Sequence, residues 1–160
     1  MIGIDDFIRA TKGQSILEGF EPQDFERLAA LAKEVRFKRD QIVFQEGQKH
    51  GHFYLILDGT VVLEMTAAGH PVSLQTLNGG DAMGWSSLTA PGGGAHFSAR
   101  VIAPVHALSF EGSQLRATCE ADPAFGYRMM KALLELVTER LDASRMQLVD
   151  MYARPGAMRA

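Results

Sequence analysis

The hydrophobic pattern of the chain changes period twice, and these changes constrain the fold more than any other feature. Before Lys33 apolar residues recur at helical spacing, whereas Val35 and Phe37 alternate with charged residues, as in a strand with one wet face. At Gly112 the helical spacing returns. The segment between consists of short apolar stretches separated by glycine turns, which is typical of an all-β roll or barrel. The sequence therefore predicts a mainly β domain with flanking α-helices.

Seven strands can be placed in this segment. They are expected at residues 33–38, 41–45, 53–57, 60–66, 71–77, 97–102 and 105–110. Asp58-Gly59 is predicted to be a two-residue hairpin turn, and Pro104 to separate the last two strands. Between the fifth and sixth strands lies a glycine-rich stretch, residues 79–101, with a Pro91–Gly94 loop inside it. Glycines there allow close approach of a ligand, and Ser86-Ser87 suits the first turn of a short helix.

Helices are predicted on both sides of the strands. Pro22 lies near the first position of an N-terminal helix, and a short helix is expected over residues 112–121. Asp122 is the expected N-cap and Pro123 the first residue of a long helix, about 122–152. The domain is thus expected to span residues 1–152, followed by a tail at 153–160.

The long helix carries two apolar stripes. One stripe is expected to pack on the strands: Phe125, Met129, Ala132, Leu133 and Leu136. The second has alternating spacings of four and three, as in a coiled-coil seam, and continues beyond the first: Met130, Leu134, Val137, Leu141, Ser144, Leu148 and Met151. The second stripe predicts a homodimer formed through this helix, because a second copy supplies the matching face.

Bulk composition excludes several classes of protein. The net charge is −3, which offers no general attraction to nucleic acid or to an anionic membrane. Cys119 is the only cysteine, so one chain cannot hold a disulfide or a four-cysteine zinc site. No apolar run is long enough to span a bilayer, and residues 1–11 lack the apolar core of a signal peptide. A cytoplasmic protein is expected.

Three glycine motifs identify a family resemblance. Residues 42–47 (IVFQEG), 53–61 (FYLILDGTV) and 77–84 (LNGGDAMG) resemble, in order and spacing, the cyclic nucleotide-binding domain of catabolite-activator-type regulators. The resemblance implies an eight-stranded β-roll (a double-stranded β-helix, similar to a jelly roll). It also implies that residues 79–101 are the phosphate-binding cassette and that the long helix dimerises and covers the pocket. The chain stops too soon after that helix for a helix-turn-helix, so direct DNA binding is not expected.

Two positions depart from the family pattern. Where nucleotide-binding members have a glutamate for the ribose and an arginine for the cyclic phosphate, this chain has Trp85 and Phe97. The cassette positions that match the family's ligand site are Gly84, Trp85, Ser86, Ser87, Phe97, Ser98 and Ala99. Three hypotheses remain: a pocket filled by its own side chains, as in a structural adaptor, an altered ligand, or residual binding of cyclic AMP or cyclic GMP. Binding of either nucleotide is expected to be weak, because a buried phosphate without a charged partner is costly.

A metal-dependent enzyme is the remaining alternative. His50 and His52 form an H-x-H pair, and His96 follows a Pro91-x-Gly93 segment, as in the cupins. The glutamate that completes a cupin site is missing between His52 and Gly59, so His50 and His52 are predicted to lie in an exposed turn. The sequence therefore favours a non-catalytic sensing or regulatory module over an enzyme.

Overall fold

The computed structural model describes residues 2–89 and 93–153. The helices are α1 (Ile4–Ala10), a 3₁₀ turn (Ser15–Leu17), α2 (Pro22–Leu31), α3 (Ser86–Thr89), α4 (Gly112–Ala121) and α5 (Pro123–Ala153). The strands are β1 (Lys33–Phe37), β2 (Ile42–Phe44), β3 (His52–Ala67), β4 (His70–Leu77), β5 (Ala82–Met83) and β6 (Ser98–Glu111). The part of the expected loop at residues 90–92 and the tail from 154 lie outside the described residues.

The strands form one antiparallel sheet in the order β1-β6-β3-β4, with β2 paired to β6 and β5 paired to β3. Long strands β3 and β6 pair from His52–Glu111 at one end to Glu64–Ser98 at the other. One buried cluster lies between the helices and the sheet, and a second lies among the strands on the side of Phe44 and Val101. The segment that joins β5 to β6 contacts both clusters, because Trp85 packs against the first and Phe97 against the second.

The predicted hairpin at Asp58-Gly59 is wrong. These residues lie within β3, which continues from His52 to Ala67. Gly59 has φ of +105°, and a Cβ there would lie 2.3 Å from the Pro104 carbonyl oxygen. The glycine therefore marks an irregularity where β3 and β6 approach each other closely. In the sequence alone, a glycine at such an irregularity cannot be told from a glycine in a turn.

The strand count also differs from the expected eight. The described residues contain six strands: β3 and β6 each replace two of the seven strands placed from the sequence, and β5 was not among those seven. Pro104 does not end β6: the pairing with β3 shifts register between Asp58 and Thr60, and Ala103 pairs with Thr60 just before the proline. A proline within a strand is tolerated at such an irregularity, where its missing N–H costs no ladder hydrogen bond.

Helix α5 has the two predicted faces. The first stripe is buried, as predicted: Phe125, Met129, Ala132, Leu133 and Leu136. Asp122 caps the helix by accepting a hydrogen bond from the Phe125 amide at 3.2 Å, also as predicted. Every residue from 141 to 153 is exposed in the single chain. In the described helices, none combines the length and hydropathy that crossing a membrane requires.

A buried ion pair fixes the start of α5 to the N-terminal helices. The Asp24 carboxylate of α2 is fully buried and accepts two hydrogen bonds from Arg128 of α5, at 2.6 and 2.9 Å. Arg27 lies 3.2 Å from the same carboxylate and 2.6 Å from Asp122. Burial alone would raise the pKa of Asp24, but the Arg128 guanidinium and the Glu21 amide hold it below its usual value.

Candidate functional site

The cassette begins at a backbone position that only glycine fits. Gly84 follows β5 with φ of +82°, and a Cβ would lie 2.4 Å from the His52 carbonyl oxygen. The chain then forms α3, where the Ser87 hydroxyl donates to the Gly84 carbonyl at 2.7 Å. The short helix predicted from Ser86-Ser87 is therefore present, and it sets Trp85 at the bend between strand and helix.

Four rings fill the space beneath this bend. We call Phe44, His50, Trp85 and Phe97 the aromatic cluster. Trp85 and Phe97 meet edge to face with centroids 5.7 Å apart, Phe97 lies 6.5 Å from Phe44, and Phe44 stacks on His50 at 4.6 Å. The free volume among them is about 10 Å³, roughly the space of one water molecule. The cassette of this structure is closed.

His50 is part of the site rather than of an exposed turn, so that prediction is wrong. Its Nε2 lies 2.8 Å from the Ser86 hydroxyl, and its Nδ1 is buried without a hydrogen-bond partner. Burial lowers the pKa of His50, so the ring is neutral at neutral pH. The pairing could not be predicted locally, because 36 residues separate His50 from Ser86.

Arg140 of α5 is the second residue that the sequence analysis missed. Its guanidinium carbon lies 4.4 Å from the centroid of the Trp85 ring, and its Nη2 donates to the Ala82 carbonyl. Burial lowers the pKa of Arg140 to about 10, against the opposing effect of the Asp81 and Glu139 carboxylates. Its Nη1 is buried and lacks a hydrogen-bond acceptor. A signal was present, because Arg140 follows buried Leu136 by four residues and so continues the buried stripe.

The remaining cassette positions lie at the edge of the site or in the core. Ser98 accepts a hydrogen bond from the Glu46 amide at 2.8 Å, and Ala99 is fully buried opposite Phe44 and Leu63. Neither residue lines the 10 Å³ cavity. Arg100 does not line the cavity, and its Nε lies 2.6 Å from Glu64. The roles of Ser98 and Ala99 toward a ligand stay predictions.

The three histidines of the metal alternative are not arranged as a metal centre. His50 contacts Ser86, whereas His52 stacks on Tyr54 at 6.1 Å, and His96 is an exposed residue at the cavity rim. Within residues 2–89 and 93–153, no group of three histidine, cysteine or carboxylate side chains could hold a metal ion. The structure therefore gives the cupin alternative no support.

The sheet, the cassette and the covering helix can now be compared with known proteins. The family model "Cyclic nucleotide-binding domain" matches residues 34–122, more than half of the chain. The chain belongs to the cyclic nucleotide-binding domain family. Domains of this family are generally regulatory modules rather than catalytic ones. Comparison with curated proteins found no significant match.

Solved structures agree with this assignment at the level of the fold. A cyclic nucleotide-binding domain from Methylobacillus flagellatus is similar with a TM-score of 0.78 and 17% identity, covering 92% of this chain and 83% of that one. A provisionally assigned cyclic nucleotide-binding protein from Geobacter metallireducens has a TM-score of 0.74 and 24% identity, and the match covers 88% of this chain and 99% of that one. The catabolite activator protein of Thermus thermophilus has a TM-score of 0.69 and 20% identity, and the match covers 86% of this chain and 62% of that protein.

Proposed function

We propose that this chain is a non-catalytic regulatory module whose cassette holds cyclic AMP and cyclic GMP weakly or not at all. The observation that carries the proposal is the filled interior of the cassette. The Trp85 and Phe97 rings meet there, and only about 10 Å³ remains free. A nucleotide would have to displace these rings before it could bind.

The charges at the site also disfavour a cyclic nucleotide. Trp85 and Phe97 stand where the family pattern has its glutamate and arginine, so the phosphate would lack its charged partner. Hydrogen bonds to charged groups contribute about 1.5–3 kcal/mol each. Loss of the arginine alone therefore weakens binding by roughly ten- to over a hundredfold.

Calorimetric titration of the wild type with cyclic AMP and cyclic GMP tests this proposal. We expect no binding in the micromolar range, and micromolar or tighter affinity for either nucleotide would overturn it. A Trp85→Glu, Phe97→Arg double variant should gain affinity. A matched Trp85→Gln, Phe97→Met variant opens similar space without the charges and should gain less.

We also propose that α5 pairs with α5 of a second copy. The seam residues are exposed in the single chain, with Leu134 at 67%, Leu141 at 51% and Leu148 at 53%. Tyr127, 68% exposed, extends the same spacing by one step toward the start of the helix. A partner helix with the same spacing would cover this face with knobs-into-holes packing.

Sedimentation of Leu134→Glu tests the pairing. A wild-type dimer at micromolar concentration should become a monomer, because the two-fold axis places the new charge in the interface twice. Met146→Glu is the matched control, since Met146 is 61% exposed but lies outside the seam. A wild-type monomer at these concentrations would contradict the proposal and favour an adaptor whose helix recruits a different protein.

Ligand screening by thermal unfolding separates a sensor from a structural adaptor. A ligand that binds the folded state raises the unfolding temperature, and the stabilisation grows with the logarithm of its concentration above Kd. We expect neither nucleotide to shift it. A shift with another small molecule would favour an altered ligand over a permanently filled pocket.

A further inference from the structure

Within residues 2–89 and 93–153, the cation on the Trp85 face is a side chain of the domain itself. The guanidinium carbon of Arg140 lies 4.4 Å from the Trp85 ring centroid, and Nη2 donates to the Ala82 carbonyl. We propose that the cassette is a cation-binding site, occupied in cis by Arg140, for which a small molecule with a guanidinium or ammonium group competes. This inference rests on the proposed function, in which the cassette does not hold a cyclic nucleotide.

Several neighbours of Arg140 favour a cation, although they offset only part of the cost of burial, which holds its pKa at about 10. A tryptophan face attracts cations through its ring quadrupole, and the Ala82 carbonyl oxygen accepts a hydrogen bond. Asp81 and Glu139 favour the charged form of Arg140, so they add negative potential at the same place. His50 is neutral at neutral pH and adds no competing positive charge. With Arg140 displaced, an anion would meet a ring face and the negative potential of two carboxylates, and therefore gains little.

Arg140 is an incomplete occupant of this site. Its Nη1 is buried without an acceptor, and within the described residues no carboxylate lies within 4.0 Å of its guanidinium. Release into water would restore the hydration that burial removes. An external cation undergoes the same loss of hydration, so it replaces Arg140 by making contacts that Arg140 lacks, such as an acceptor for the N–H groups that Nη1 leaves unpaired.

The exchange would reach α5 directly. Arg140 precedes Leu141 of the dimerisation seam, and its carbonyl accepts a hydrogen bond from Gln75 at 3.0 Å. The groove between β4 and α5 at this point has a free volume of about 280 Å³. Asp81 and Arg140 themselves line this groove, so a small cation can approach the guanidinium from it. Occupancy of the cassette by an external cation would thus free the side chain that attaches this part of α5.

Fluorescence titration with methylguanidinium tests the inference, because Trp85 is the only tryptophan. Arg140→Ala empties the site and should show a saturable change in emission. The apparent affinity should be about tenfold tighter than in the wild type, where the tethered guanidinium competes at high effective concentration. Arg140→Met refills the space without charge and should show no saturable change. Arg145→Ala, at an exposed arginine on the same helix, should behave as the wild type.

Acetate, phosphate and cyclic AMP complete the titration. The inference is overturned if Arg140→Ala does not respond to methylguanidinium, or responds equally to acetate or phosphate. Micromolar binding of cyclic AMP by the wild type would instead overturn the proposed function, so the two failures are distinguishable. If Arg140→Ala does not fold, Arg140→Ser is titrated in its place, with the same outcomes.

Discussion

Two arginines attach α5 to the rest of the domain, and they are held in opposite ways. Arg128 makes two hydrogen bonds to the buried Asp24 carboxylate, and its Nη1 also lies 3.8 Å from a carboxylate oxygen of Glu21. Arg140, about three turns later, contacts a tryptophan face and a carbonyl oxygen, and one of its nitrogens has no partner. A carboxylate in direct contact balances the charge of Arg128, whereas within the described residues no carboxylate contacts Arg140.

This difference divides α5 into a firmly attached part and a part for which we propose a regulatory role. A buried carboxylate with matched donors makes a rigid attachment, because removal of either partner leaves a buried charge. A buried cation without a counterion can exchange its site for water at low cost. The start of α5 is therefore a fixed part of the domain, and the part over the cassette is where a bound molecule could act.

Asp24→Asn should have the largest effect. The variant leaves Arg128 and Arg27 without their shared carboxylate, and we expect a loss of about 2 kcal/mol in the free energy of unfolding. The value is below that of a fully buried pair because Arg128 retains some access to water. Urea unfolding measures it. Asp142→Asn, which removes an exposed pair with Arg145, is the control, and an equal loss there would remove the contrast.

Arg140→Met should cost less than Asp24→Asn. Methionine replaces the stem and the contact with Trp85 while removing a desolvated charge, so the loss should be about 1 kcal/mol or less. The same urea experiment measures it. A loss as large as that of Asp24→Asn would mean that both arginines are structural.

Acid should weaken the Asp24 attachment. Because the folded-state pKa of Asp24 lies below its unfolded value, its stabilisation is present above about pH 4 and is lost as the pH falls through the folded pKa. Unfolding free energies measured from pH 6 to pH 2 should show this decline. In Asp24→Asn the decline should be smaller, and an unchanged slope would contradict the assignment.

The cassette should have its own, smaller acid response at higher pH. Burial depresses the pKa of His50, so its stabilisation is present above about pH 6.5 and is lost as the pH falls through the folded pKa. His50→Gln retains a group that can bond Ser86 and should remove this component while leaving the Asp24 component intact. Identical profiles for the wild type and His50→Gln would exclude His50 as its source.

The sequence predicted the helices well, because the residues that mark where a helix begins or ends lie next to that point in the chain. Pro22 and Pro123 begin α2 and α5, and α4 has the predicted bounds 112–121. The strands were harder, because Gly59 and Pro104 are turn signals in isolation. In the fold these two residues face each other across β3 and β6, and each accommodates the irregularity of the other.

The sequence singled out two residues of the site but not their partners. Motif spacing predicted the cassette and marked Trp85 and Phe97 as departures from the family pattern, and in the fold these two rings contact each other. The contacts that close the site depend on side chains far along the chain: 36 residues separate His50 from Ser86, and 58 separate Arg140 from Ala82. Such pairings follow from how α5 lies over the sheet, which no local period encodes.

Acrylamide quenching of Trp85 fluorescence tests most directly whether Arg140 closes the cassette. The account predicts a low quenching constant in the wild type, a clear rise in Arg140→Ala, and little change in folded Asp24→Asn. Equal quenching in the wild type and Arg140→Ala, or an equal rise in both variants, would show that Arg140 is not the residue that closes the site.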